Sequence, residues 1–317
     1  SCFPGGFYHR QSAPGKFRKY NQNTSAPPHT RGAILSETTP MPNTEAPHKR
    51  IPFRMLIALA ALLVFLLVMR LRLPGYHSIP KNLGANASIT VLAKFPHDPA
   101  AFTQGLLYAD GLFYESAGLY GQSTLRKVEP KTGAVLLEKR LDAQYFAEGL
   151  ALLEGKLYQL TWKENTGFIY DPQDFRQLST FSYPTEGWGL TTDGSSLILS
   201  DGSATLYFLD PQTLQTTRAL QVSLDGAPLD RLNELEYIRG EIYANIWYKD
   251  LIARIDPTSG EVVGVIDCGS LRDGEGAPGP NDVLNGIAYD ARGDRLYLTG
   301  KNWPWIYEVS LRSVQTP

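Results

Sequence analysis

The chain is poor in the two side chains that carry most zinc and nucleophile chemistry: its 317 residues hold 5 histidines and 2 cysteines. His9, His29, His48 and His77 all precede residue 88, which leaves His97 as the one histidine of the last 230 residues. A Ser-His-Asp triad in that body would have to use His97, and a zinc site would need carboxylates almost exclusively, whereas zinc favours Cys and His. Cys2 lies in the tail and Cys268 in the body, so no disulfide can staple the body internally. Neither a histidine triad nor a zinc site is therefore expected, and no cofactor is expected. The body is also nearly devoid of helical periodicity.

An excess of either charge is missing as well, with 30 Lys+Arg against 32 Asp+Glu, but that balance adds two unlike pieces. Residues 1–87 carry 11 Lys/Arg and 2 acids, and residues 88–317 carry 19 and 30. A body of net negative charge is a poor partner for phosphate, so nucleic-acid binding is not expected. The opening 50 residues, with seven prolines and no apolar periodicity, read as a disordered basic tail.

The one long apolar run, MLIALAALLVFLLVM at residues 55–69, is bracketed by Arg54, Arg70 and Arg72. It covers roughly 22 Å as a helix, against a hydrocarbon core of about 30 Å. Flanking arginines that snorkel, together with Ile51 and Phe53, extend it. Residues 51–73 are expected to be a single transmembrane signal anchor, with 74–87 as linker. The body, 88–317, is expected on the lumenal or extracytoplasmic side.

What the body has instead is a repeat. An apolar segment opening near a glycine recurs five times, at Gly105, Gly149, Gly189, Glu234 and Gly286, at intervals of 40 to 52 residues. Acid-Pro turns recur at Glu129-Pro130, Asp171-Pro172, Asp210-Pro211 and Asp256-Pro257. Proline fixes φ for the second turn position and the acid bonds forward to the backbone, so each ends a strand. Short Tyr-rich strands at a period near that of a four-stranded blade predict an all-β, five-bladed β-propeller. The last repeat is one strand short, and ITVLAKF (residues 89–95) is available to close it from the N-terminal side, which removes exposed edges. A monomer is expected.

Propeller repeats converge their openings on one mouth. These read F-T-Q-G at residues 102–105, F-A-E-G at 146–149, E-G-W-G at 186–189, L-N-E at 232–234 and L-N-G at 284–286. Trp162, Asn245, Trp247, Lys301 and Trp303 sit at the ends of second strands. Together they suit an aromatic-walled pocket with a desolvated carboxylate, whose raised pKa would favour proton transfer near neutral pH. From residue types alone that carboxylate is Glu148, Glu115, Glu186, Glu234 or Glu236.

The strings FPHDPAAFTQGL, YESAGLYGQS, YFAEGL, GWGLTTDG, RLNELEYI, ANIWYKD, DVLNGIAYD and LTGKNWP, in this order over residues 91–311, resemble the plant-type glutaminyl-peptide cyclotransferases. The resemblance implies a five-bladed propeller that converts N-terminal glutaminyl residues of peptides or proteins to pyroglutamyl with release of ammonia, without zinc. It implies Glu148 as the catalytic glutamate, with Lys301 and Asn233 assisting. It implies Phe102, Gln104, Phe146, Trp162, Trp188 and Trp247 as substrate-binding residues. Two other classes remain open: a non-catalytic binding platform, and a calcium-dependent propeller hydrolase using Asn233, Glu234, Asn285 and Asp290.

Overall fold

The computed structural model describes residues 84–272, 279 and 281–313. The expected tail and anchor, residues 1–73, and residues 74–83 of the expected linker lie outside the described residues. Among the described residues no helix is long and apolar enough to cross a membrane. Their regular elements are all strands apart from one 3-10 turn at Gly269–Leu271.

After β1 (Ala87–Pro96), the strands fall into antiparallel groups of four. The first holds β2 (Thr103–Ala109), β3 (Leu112–Ala117), β4 (Thr124–Val128) and β5 (Val135–Arg140). The second holds β6 (Ala147–Leu153), β7 (Lys156–Thr161), β8 (Thr166–Tyr170) and β9 (Gln177–Ser182). The third holds β10 (Leu190–Thr192), β11 (Leu197–Ser200), β12 (Thr205–Leu209) and β13 (Thr216–Gln221). A short hairpin follows, β14 (Ser223–Leu224) with β15 (Ala227–Pro228). The fourth group is β16 (Leu232–Ile238), β17 (Glu241–Ile246), β18 (Leu251–Ile255) and β19 (Val262–Asp267). The last is β20 (Leu284–Asp290), β21 (Arg295–Gly300) and β22 (Trp305–Ser313), which β1 completes by antiparallel pairing with β22.

That pairing is the edge closure expected from ITVLAKF. The structure adds a detail that periodicity does not carry: β1 also runs parallel to β19 at Ala87–Ile266 and Ser88–Asp267, fusing the last two groups into one eight-stranded sheet.

The acid-Pro turns join the third and fourth strands of the first four groups, and the acids bond forward. Asp210 Oδ1 accepts from the Gln212 and Thr213 amides at 3.0 and 2.7 Å, and Asp256 Oδ1 from Thr258 and Ser259 at 2.8 Å each. Fourth strands such as β9 and β13 are mostly exposed, while first strands are buried.

The first strands touch one another in the cycle β2–β6–β10–β16–β20–β2. Glycine makes that approach possible. A Cβ on Gly149 would lie 2.4 Å from the Leu190 amide nitrogen, and one on Gly189 only 2.0 Å from the Asn233 carbonyl oxygen. Backbones of neighbouring first strands thus meet where any other side chain would have to displace main chain.

Candidate active site

The residue just before each glycine slot is Gln104, Glu148, Trp188, Asn233 or Asn285. In four of the five groups the ladder between first and second strands slips register beside that residue: between Thr103 and Gly105, Ala147 and Leu150, Leu232 and Leu235, and Leu284 and Ile287. A bulge of this kind breaks strict alternation and re-aims a side chain. Four of those five residues line one cavity of about 350 Å³, whose wall also includes Phe102, Phe146, Trp162, Trp247 and Lys301. All nine residues expected at the site therefore meet in one place. Asn285 stands just behind, donating to Gln104 Oε1 at 3.2 Å and to the Thr103 carbonyl at 2.9 Å.

Glu148 is 4 % exposed and accepts a hydrogen bond on Oε1 from Gln104 Nε2 at 2.9 Å. Burial pushes its carboxyl well above the usual carboxylate range; the Lys301 ammonium opposes this, and the Glu186 and Glu164 charges add to it. Lys301, also 4 % exposed, is drawn by burial down to about 8, with Glu148 resisting. Its ammonium stands 4.7 Å from the centre of the Phe102 ring. Burial thus draws the acid up and the base down, so their proton affinities approach each other and a proton is moved at smaller cost.

The aromatic wall is built edge to face. Phe146 meets Phe102 at 6.2 Å and Trp162 at 5.6 Å between ring centres, and Trp188 meets Trp247 at 5.2 Å. Asn233 is held through its backbone, whose carbonyl accepts from Ser200 Oγ at 2.7 Å. Its side-chain oxygen is buried without a hydrogen-bond partner among the described residues, which leaves it for a donor on a bound molecule.

The other candidate carboxylates have different employment. Glu115 pairs with His97 Nε2 at 2.8 Å and accepts from Thr103 Oγ1 at 2.7 Å, so the one histidine of the body is spent on an internal tie. Glu234 accepts the Leu106 and Ile287 amides, at 3.2 and 2.8 Å. Glu236 accepts the Tyr289 amide at 3.0 Å. Glu186 takes the indole N–H groups of Trp162 and Trp188. Asp290 is bound by Arg295 at 2.7 Å. Of the oxygens expected at a calcium site, those of Glu234 and Asp290 are engaged elsewhere, while Asn233 Oδ1 and Asn285 Oδ1 have no hydrogen-bond partner among the described residues. Among the described residues no group of three or more His, Cys, Asp or Glu side chains could hold a metal ion.

Trp303 departs from expectation. It is 1 % exposed, packed in the core, with Nε1 donating to the Asp282 carbonyl at 2.9 Å. Leu119, Tyr248 and Asn281 also line the cavity and carried no sequence signal of their own. Leu119 and Tyr248 adopt φ of 98° and 61°, a left-handed conformation that costs non-glycine residues energy and gathers at binding sites.

The chain is similar to several known proteins. The glutamine cyclotransferase family model matches residues 65–311. A glutaminyl-peptide cyclotransferase of Arabidopsis thaliana is 48% identical over 228 residues, covering 71% of this chain and 71% of its own. The crystal structure of Myxococcus xanthus glutaminyl cyclase superposes with a TM-score of 0.69 at 39% identity, covering 73% of this chain and 99% of its own.

Proposed function

The chain belongs to the glutamine cyclotransferase family, and from that premise we propose how it acts. It is a glutaminyl-peptide cyclotransferase: it converts N-terminal glutaminyl residues of peptides to pyroglutamyl and releases ammonia. The substrate's own α-amine attacks its γ-carboxamide carbon, so both reactants are already tethered and the protein's main task is to fold them together. Trp162, Trp188 and Trp247, with Phe102 and Phe146, wrap the glutaminyl side chain and keep out water that would hydrolyse the amide.

Glu148 carries the proton. It takes one from the attacking amine and returns it to the departing NH2, which leaves as ammonia, so the carboxylate ends each turnover as it began. Lys301 and the Asn233 amide face the oxygen that gathers negative charge. Gln104 has a different duty from an oxyanion donor, since its amide nitrogen is committed to Glu148 Oε1 and holds that carboxylate in place.

The observation that carries this reading is a buried, pKa-raised glutamate in an aromatic cavity with one donor and one neighbouring ammonium. Glu148→Gln should abolish ammonia release from a glutaminyl dipeptide while leaving the circular-dichroism spectrum and melting temperature near wild type. Turnover within a few-fold of wild type would remove Glu148 from the mechanism.

The five strand groups, their first strands in cyclic contact, support a five-bladed propeller closed by β1. The apolar run at 55–69 supports a membrane anchor at residues 51–73 that carries a monomeric catalytic body on the extracytoplasmic side. Protease digestion of the body in sealed vesicles from the cytosolic face would overturn that orientation.

A further inference from the structure

Glu186 lies between β9 and β10, at the rim of the cavity rather than in its wall. Its Oε2 accepts two hydrogen bonds, from Trp162 Nε1 at 2.8 Å and Trp188 Nε1 at 3.1 Å. These indoles come from different strand groups. Each is only partly buried, so packing does not fix it on every side. An indole N–H can only donate, and a donation to a charged acceptor is about twice as strong as a neutral one. One oxygen therefore sets the rotation of two indoles from different strand groups.

The backbone that carries this carboxylate is well anchored. The Gly187 amide donates to the Trp162 carbonyl at 2.8 Å, and the Trp188 amide to the Ser200 carbonyl at 2.9 Å. A Cβ on Gly187 would come within 2.5 Å of the Thr161 carbonyl oxygen, so this loop backbone is seated directly on the end of β7. Lys163 caps the arrangement, its ammonium 3.9 Å from Glu186 Oε1 and 3.9 Å from the centre of the Trp162 ring.

We propose that Glu186 is a positioning residue for cyclisation, pinning the Trp162 and Trp188 indoles as two walls of the glutaminyl pocket. The inference rests on the cyclotransferase reading above. Walls that grip the side chain do so before and during reaction alike, so loosening them weakens substrate binding more than it slows the chemistry. Glu186 also places a negative charge near Glu148. The other charged or titratable groups acting on Glu148 are Lys301, Glu164, Tyr120 and Tyr183.

Steady-state kinetics of the full chain on a glutaminyl dipeptide test the idea with two variants. Glu186→Ala should raise KM about tenfold while kcat stays within about threefold, the pattern of lost uniform binding. Glu186→Gln keeps an acceptor oxygen but no charge. It should raise KM less and move the acid limb of kcat/KM to lower pH, because a charge that favours the protonated form of Glu148 is gone. The substrate amine titrates identically for all three proteins, so a difference between them belongs to the protein. Wild-type KM and an unmoved limb in both variants would overturn the inference, as would a lowered melting temperature with KM unchanged. A wild-type chain that released no ammonia would instead overturn the cyclotransferase reading on which it rests.

Discussion

Glu148 and Glu234 sit one slot apart in equivalent repeat openings, Glu148 just before the glycine position and Glu234 in it. Both are buried, at 4 % and 1 % exposed, and burial lifts both carboxyls well above their ordinary range. Their surroundings differ. Glu148 has one side-chain donor and faces a cavity, whereas both oxygens of Glu234 are taken by backbone amides, one from β2 and one from β20. Glu234 is therefore a strut across the ring of first strands, and Glu148 a group with unused lone pairs. A raised pKa alone does not mark a catalytic carboxylate; unspent hydrogen-bonding capacity beside a cavity does.

The sharpest break in this comparison comes from the pocket side. Lys301→Met should lower kcat by about 100- to 1000-fold, the usual cost of losing one donor to a developing oxyanion. The wild-type pH–rate profile should show a basic limb as Lys301, drawn down to about 8, gives up its proton, and the variant should lack it. A basic limb unchanged in the variant would assign that ionisation elsewhere.

The strut responds in stability instead. Glu234→Ala leaves two buried amides without an acceptor, at about 1–3 kcal/mol each, so urea denaturation should show a loss of several kcal/mol. Folded protein should retain far more turnover than Glu148→Gln. Equal loss of activity in both would dissolve the distinction.

Trp188→Ala should act mainly on KM, with a smaller effect on melting temperature. A large drop in melting temperature with KM intact would make that indole a packing residue.

The smallest effect on turnover concerns Glu236, whose carboxyl is raised by burial to about 8 from the ordinary 4.5. A raised folded pKa means the native state holds the proton more tightly, so the group's contribution is complete below about 4.5, declines as pH rises and is gone above about 8. Glu236→Gln should flatten that part of the stability–pH curve. An unchanged slope between those pH values would show that Glu236 does not titrate there.

Much of this was legible in the order of residues. The five glycine-slot openings and the acid-Pro turns carried the repeat because turn chemistry is local, and ITVLAKF was visible as an unpaired strand because the last repeat lacked one. The nine pocket residues were named from motifs and resemblance. Trp303 was grouped with them by its place at a strand end, yet it packs inward, since strand-end position does not say which way an indole turns.

The carboxylates show where sequence stops. Glu115, Glu148, Glu186, Glu234 and Glu236 were equivalent candidates by type, and residue types alone could not rank them. Their roles depend on which backbone amides, indoles or imidazole arrive from strands up to 128 residues away, as Leu106 does for Glu234.

The sequence by itself thus determined the strands, their turns and the side chains offered at each opening, because these follow from local φ preference and apolar pattern. Tertiary structure decided which carboxylate is spent on holding the ring, which is left free in the cavity, and how Glu186 ties two indoles together. Those outcomes depend on bulges and glycine contacts between neighbouring first strands, where main chains from different repeats meet and donors are shared out.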